Sequence, residues 1–83
     1  MGVVEAVTTI LVADPRQAFQ EQIERAVQDY GFATEGQPDV VLTPDSATAR
    51  FWSRRKVLVV LYEYEDSVDV AGLMVTAMAL VDP

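Results

Sequence analysis

TTILVADPRQAFQEQIERAVQDYGF, residues 8–32, decides how this chain is read. Residues 8–13 are a continuous β-branched and apolar run, the pattern of a strand covered on both faces. Asp14-Pro15 then gives a helix start, with aspartate as N-cap and proline at the first helical position. Phe19, Ile23, Ala26, Val27 and Tyr30 follow at helical spacing, and Glu21 and Arg25 are placed to pair across one turn. Gly31 stops the helix as a left-handed residue, with Phe32 set to pack back. In α/β proteins the end of such a strand is where ligands bind, so Asp14 either opens a site or caps the helix behind it. A cap beside a proline accounts for it fully, and that is the expectation.

Outward from this unit the pattern repeats. Residues 40–43 read as a second short strand, and Thr43-Pro44-Asp45-Ser46 repeats the cap-then-proline signal. Ala47, Phe51 and Trp52 would form the inner face of a short helix ending at Arg54. Residues 57–62 make a third strand, again apolar without alternation. Asp66 or Ser67 caps a candidate helix carrying Val70, Leu73, Met74 and Ala77, and residues 78–81 form a last strand unless one strand runs on from Val68. Residues 3–7 either extend the first strand or make a separate edge strand. Strands alternating with helical patterns imply one layered α/β domain over residues 1–83 with a mainly parallel sheet.

Composition narrows the function classes. Eighty-three residues are near the size at which a single core is marginal, yet 51% of them are hydrophobic. Efficient burial, or a face shared with another subunit, would reconcile the two. There is no cysteine for thiol chemistry and no histidine for a neutral-pH base or metal ligand. A glycine-rich phosphate turn is absent from ADPRQ. Thirteen acids against six bases give a net charge of −7, which argues against direct nucleic-acid binding and favours solubility or a basic protein partner. The start MGVVEAV lacks the positive region of a signal peptide, and the uncharged run 70–81 is about half of the ~20 residues of a membrane span. A soluble, cytoplasmic chain with no membrane contact is expected.

The order of these pieces resembles the receiver domain of two-component response regulators, a doubly wound fold. ILVAD at 10–14 looks like its first strand and leading acid, and DYGF at 29–32 like the end of its first helix. PDVVLTP at 38–44 is similar to its third strand, KVLVVLY at 56–62 to its fourth, and AGLMVTAMALVDP at 71–83 to its fourth helix, fifth strand and Lys-Pro ending. The resemblance implies a small flavodoxin-like or receiver-like sheet of about four or five strands, truncated by loss of the second and terminal helices. The parallel crossover that a second strand would need takes about a dozen residues, which 33–38 do not supply. Either the strand order is rearranged, with residues 40–43 taking the outer place beside the first strand, or 32–36 are loop. The face of the missing terminal helix would lie open and invite a partner.

Carried over residue by residue, the receiver chemistry is broken. The acidic pair falls on Asp14 and Pro15, the phosphoacceptor on Pro44, the hydroxyl near Tyr62 and the lysine on Asp82. Asp45 lies one residue past the acceptor position, where an extended chain turns it to the other side. Asp14 and Asp45 are thus a remnant acidic pocket, without a metal, a cofactor or a catalytic set. Glu63, Glu65, Asp66 and Asp69 read as a solvated loop and helix start, or as a docking patch for a basic partner. Tyr62 and Tyr64 point the same way at the strand end, where receivers dock partners, so Tyr62, Glu63, Tyr64, Glu65 and Asp66 form the candidate docking surface. The expectation is a non-enzymatic, unphosphorylated module that binds itself or a protein partner. The alternative is a small acidic inhibitor or nucleic-acid mimic of the phage type, occupying a basic protein site.

Overall fold

The computed structural model describes residues 7–81. Its elements run β1 (Ile10–Val12), α1 (Gln17–Asp29), β2 (Val40–Thr43), α2 (Ser46–Ser53), β3 (Leu58–Leu61) and α3 (Val70–Val81). The chain is α/β, with a parallel sheet in the order β1-β2-β3. Three strands are described, not the four or five expected. Residues 78–81 belong to α3, and residues 3–6 lie outside the described part.

The sheet's two faces are covered by different helices. Ile10 and Val12 of β1 and Val40 and Leu42 of β2 meet Ile23 and Val27 of α1 and Leu73, Met74 and Ala77 of α3 in one core. Side chains alternate along a strand, so Val41 and Val59 face the other way, where α2 packs on β2 and β3. The face expected to stand open is therefore closed by α3. The thin layer is the one under α2, an eight-residue helix that buries none of its own residues completely. Phe51, placed by sequence on the inner face, is exposed, and its ring lies against Trp52 and the Arg55 guanidinium.

α1 stops as its sequence dictates. Gly31, with φ 90°, donates to the Gln28 carbonyl, and Phe32 N–H donates to the Val27 carbonyl. Those two bonds form a Schellman motif, and Phe32 packs on the core. α2 ends in the same pattern, with Lys56 N–H on Ser53 and Val57 N–H on Trp52, but its left-handed residue is Lys56 at φ 61°.

Of the two options for residues 32–40 the loop holds and the rearranged order does not, because β2 lies between β1 and β3 and not at the outer place. β2 lies directly beside β1, and most of 32–39 is loop. Within that loop Ala33 makes one parallel bridge to Thr9, donating to the Thr8 carbonyl and accepting from Ile10 N–H. Thr9 turns its own carbonyl to Asp39 and Val40, so Ala33 sits on the opposite edge of β1 from β2. Further along that outer edge the Gln20 side chain stands in for a strand. Its amide donates to the Val12 carbonyl at 2.8 Å and accepts from Asp14 N–H at 2.8 Å. The missing second strand is thus replaced by one residue and one side-chain amide, which satisfies backbone groups that would otherwise be lost.

α3 is a helix where the sequence also allowed a strand. Its start is set by Asp69, whose carboxylate accepts from Gly72 N–H at 3.0 Å, and not by Asp66 or Ser67. No helix among the described residues is long and apolar enough to cross a membrane.

Candidate functional site

The connection leaving β1 passes over one face of the sheet and that leaving β2 over the other. The crevice between their carboxyl ends is the place where such sheets bind ligands. A shallow groove of about 500 Å³ lies there, lined by Asp14, Pro15 and Gln20 from one side and Asp45 and Thr48 from the other. The structure therefore brings the two acids of the remnant pocket to one groove. Neither is held as the sequence suggested.

Asp14 does not cap α1. The N-cap is Arg16, which has no side-chain cap bond, and the helix begins at Gln17. Asp14 is buried, and its two oxygens accept four hydrogen bonds. Oδ1 takes the Arg16 backbone N–H at 2.9 Å and Nε at 3.0 Å; Oδ2 takes Arg16 Nη2 at 2.8 Å and the Tyr62 hydroxyl at 2.8 Å. Burial alone would raise this carboxyl's pKa, but the bonds from Arg16 and Tyr62 outweigh it and hold the group below the usual range. Burial, and then the bond to Asp14, push the Tyr62 phenol well above its ordinary value.

Arg16 is the residue that sequence reasoning missed. Its guanidinium lies 4.1 Å from the Phe19 ring centroid and 5.0 Å from that of Tyr64, and Nη1 donates to the Glu65 carbonyl at 2.6 Å. One side chain thus joins the end of β1, the start of α1 and the loop after β3. Among the described residues the Asp14–Arg16 contact is the ion pair; Glu21 takes the Gln17 amide and does not pair with Arg25. An arginine two residues past an aspartate carries no local signal of this role, because the rings and carbonyl that hold it come from 3 to 49 positions away.

Asp45 is the N-cap that the sequence assigned to Thr43. Its Oδ2 accepts from Thr48 N–H at 2.9 Å and from the Thr48 hydroxyl at 2.7 Å, bonds that lower its pKa. Thr43 is fully buried, donating to the Ala13 carbonyl at 2.7 Å and accepting from Asp45 N–H at 3.0 Å. Among the described residues no three acids converge in the manner a metal ion needs.

The docking surface divides in two. Tyr62, Glu63 and Glu65 line a second hollow of about 380 Å³ with Asp69 and Gly72 at the start of α3. Tyr64 lies instead beside Arg16, and Asp66 is exposed on the loop. Tyr62 spends its hydroxyl inside the molecule, so Tyr64 and the acids are the part that faces solvent. Comparison with known protein families, with characterised proteins and with solved structures gave no match.

Proposed function

We propose that this chain is a non-catalytic, receiver-like interaction module that works by self-association or by docking on a partner protein, and that it is not phosphorylated. The observation that supports this most is the spent carboxylate in the crevice. Asp14 accepts four hydrogen bonds from its own chain, three of them from Arg16, whose guanidinium is already the cation paired with it. Octahedral Mg²⁺ needs several free oxygens converging, and Asp45 is engaged as a cap one residue past Pro44. The strand order also favours the resemblance: the Ala33 bridge, β1, β2 and β3 lie in the 2-1-3-4 order of a flavodoxin-like sheet. The interaction role is supported by α3, which has no charged residue and leaves Val75 67% exposed beside the exposed Met78.

Two measurements test the reading. Incubation with acetyl phosphate and Mg²⁺ is expected to leave the intact mass unchanged; a stable, hydroxylamine-sensitive adduct on Asp45 would end the non-phosphorylated reading. Light scattering at rising concentration is expected to show a dimer or larger species. A monomer even well above about 100 µM, with unfolding independent of concentration, removes self-association.

A further inference from the structure

The stretch RRKVLVVLYEYED, residues 54–66, carries more than a strand. β3 is the free edge of the sheet among the described residues. Leu58 is 48% and Leu61 54% exposed, against the continuous burial that its apolar run predicts. No charge, proline or bulge blunts it between residues 57 and 62, and such an edge is a template for another strand.

The register says which backbone groups are on offer. Tyr62 N–H bonds the Thr43 carbonyl, so even-numbered residues of β3 turn toward β2. The N–H and C=O of Val59 and Leu61 therefore point outward. A second copy laid antiparallel about a two-fold axis at Val60 pairs Val59 with Leu61 of the partner subunit, and Leu61 with Val59 of the partner subunit. Each pair exchanges both of its hydrogen bonds, so every outward group is used.

Charge decides the occupant and its direction. Arg54, Arg55 and Lys56 stand exposed at the start of β3, while Glu63, Glu65 and Asp66 stand exposed just past its end. Antiparallel pairing sets each basic cluster against the other copy's acidic one, at both ends of the interface. Parallel pairing would set like charges together.

We infer that two copies of this chain pair antiparallel through β3, joining two three-stranded sheets into one of six. The inference rests on the self-association reading above and gives it an interface. A four-residue edge is short, so the dimer should dissociate at about 1–100 µM.

The test uses two single variants and their mixture, followed by sedimentation or light scattering across that range. Lys56→Glu puts an acid at both ends of β3, and Glu63→Lys puts a base at both. Each is expected to weaken self-association about tenfold, and a one-to-one mixture to recover the wild-type affinity as a heterodimer. Because the chain has no cysteine, Val59→Cys mixed with Leu61→Cys reads the register by itself. The mixture should cross-link faster than either variant alone. A dimer unchanged by both charge variants, or a mixture that recovers nothing, overturns pairing through β3 and leaves self-association standing. A monomer overturns both. Circular dichroism of each variant identifies any that fails to fold, and cross-linking of the cysteine pair then decides.

Discussion

Two strands of this sheet end in the same three-step turn, and the turns differ in reach. In Asp14-Pro15-Arg16 and in Thr43-Pro44-Asp45, the side chain before the proline accepts a hydrogen bond from the backbone N–H after it. Proline keeps the preceding residue extended, so each strand runs straight into its turn before the helix begins. In both, the N-cap is the residue after the proline: Arg16 for α1 and Asp45 for α2. At β2 the turn is closed by a hydroxyl, with Thr43 tied to the Ala13 carbonyl at the end of the neighbouring strand and Asp45 capping its own helix. At β1 the turn is charged and long-range, because Asp14 and Arg16 together hold Tyr62, Tyr64 and the Glu65 carbonyl. The same backbone device makes a helix start at one strand and a tertiary clasp at the other.

The sharpest way to break this contrast is Asp14→Asn. The substitution leaves Arg16 without its counter-charge and sets an amide N–H₂ against a donor. It is expected to cost about 2–4 kcal/mol in urea unfolding, below the full value for a buried pair because Arg16 is partly exposed. Asp14→Ser should recover little of this. If Asp14→Ser is instead nearly neutral, Asp14 is only a local turn residue and the clasp is wrong.

Acid should show the same dependence. The folded pKa of Asp14 is lowered, so its stabilisation is present above the unfolded value near 4 and lost as pH falls through the folded one. Wild-type stability should therefore fall below about pH 4. The Asp14→Asn variant should fall less steeply there, and equal slopes in the two proteins would show that Asp14 is not the titrating clasp. Asp45, lowered by Thr48, contributes in the same direction in both and does not disturb the comparison.

At the second turn the expected effect is smaller and has a different signature. Asp45→Ala should cost about 0.5–2 kcal/mol, while Asp45→Ser or Asp45→Asn should be close to neutral, because any short acceptor serves as a cap. A loss from Asp45→Asn as large as that from Asp14→Asn would erase the distinction between the turns.

Local signals in the sequence account for the elements around these turns and not for the caps within them. The Gly31 stop, the strand at residues 40–43 and the helical face of Ile23 and Val27 each depend on neighbours within a few positions, and all are in place. The prolines mislead by one step, since Asp14-Pro15 and Thr43-Pro44 look like cap and first helical residue until the backbone N–H beyond the proline is seen to fold back. Residues 70–81 contain no charge, so helical and strand periods fit alike; the Asp69 cap and the contacts of Leu73, Met74 and Ala77 decide. Arg16 and Gln20 give no warning, because a guanidinium between two rings and an amide bridging a strand edge are defined only by the fold. The exposed side of β3 is hidden for the opposite reason: an apolar run reads as buried, and only the sheet order shows that it is an edge.

Tyr62→Phe makes the finest cut, because it severs the clasp from β3 without touching either turn. The ring stays, so packing beside α3 is kept and no cavity opens. Asp14 loses one of four donors and retains the three from Arg16, which limits the expected loss to about 0.5–1 kcal/mol. Alkaline pH supplies the discriminating readout. The phenol's folded pKa is raised above its unfolded value near 10, first by burial and then by the bond to Asp14. Its stabilisation is therefore fully present below about pH 10 and is lost as pH rises through the folded value. Wild-type protein should weaken above about pH 10 more steeply than Tyr62→Phe, in which nothing at this position ionises. Coincident alkaline limbs would mean that the Tyr62 hydroxyl is free in solution, and the clasp would then reach only as far as Arg16 and the Glu65 carbonyl.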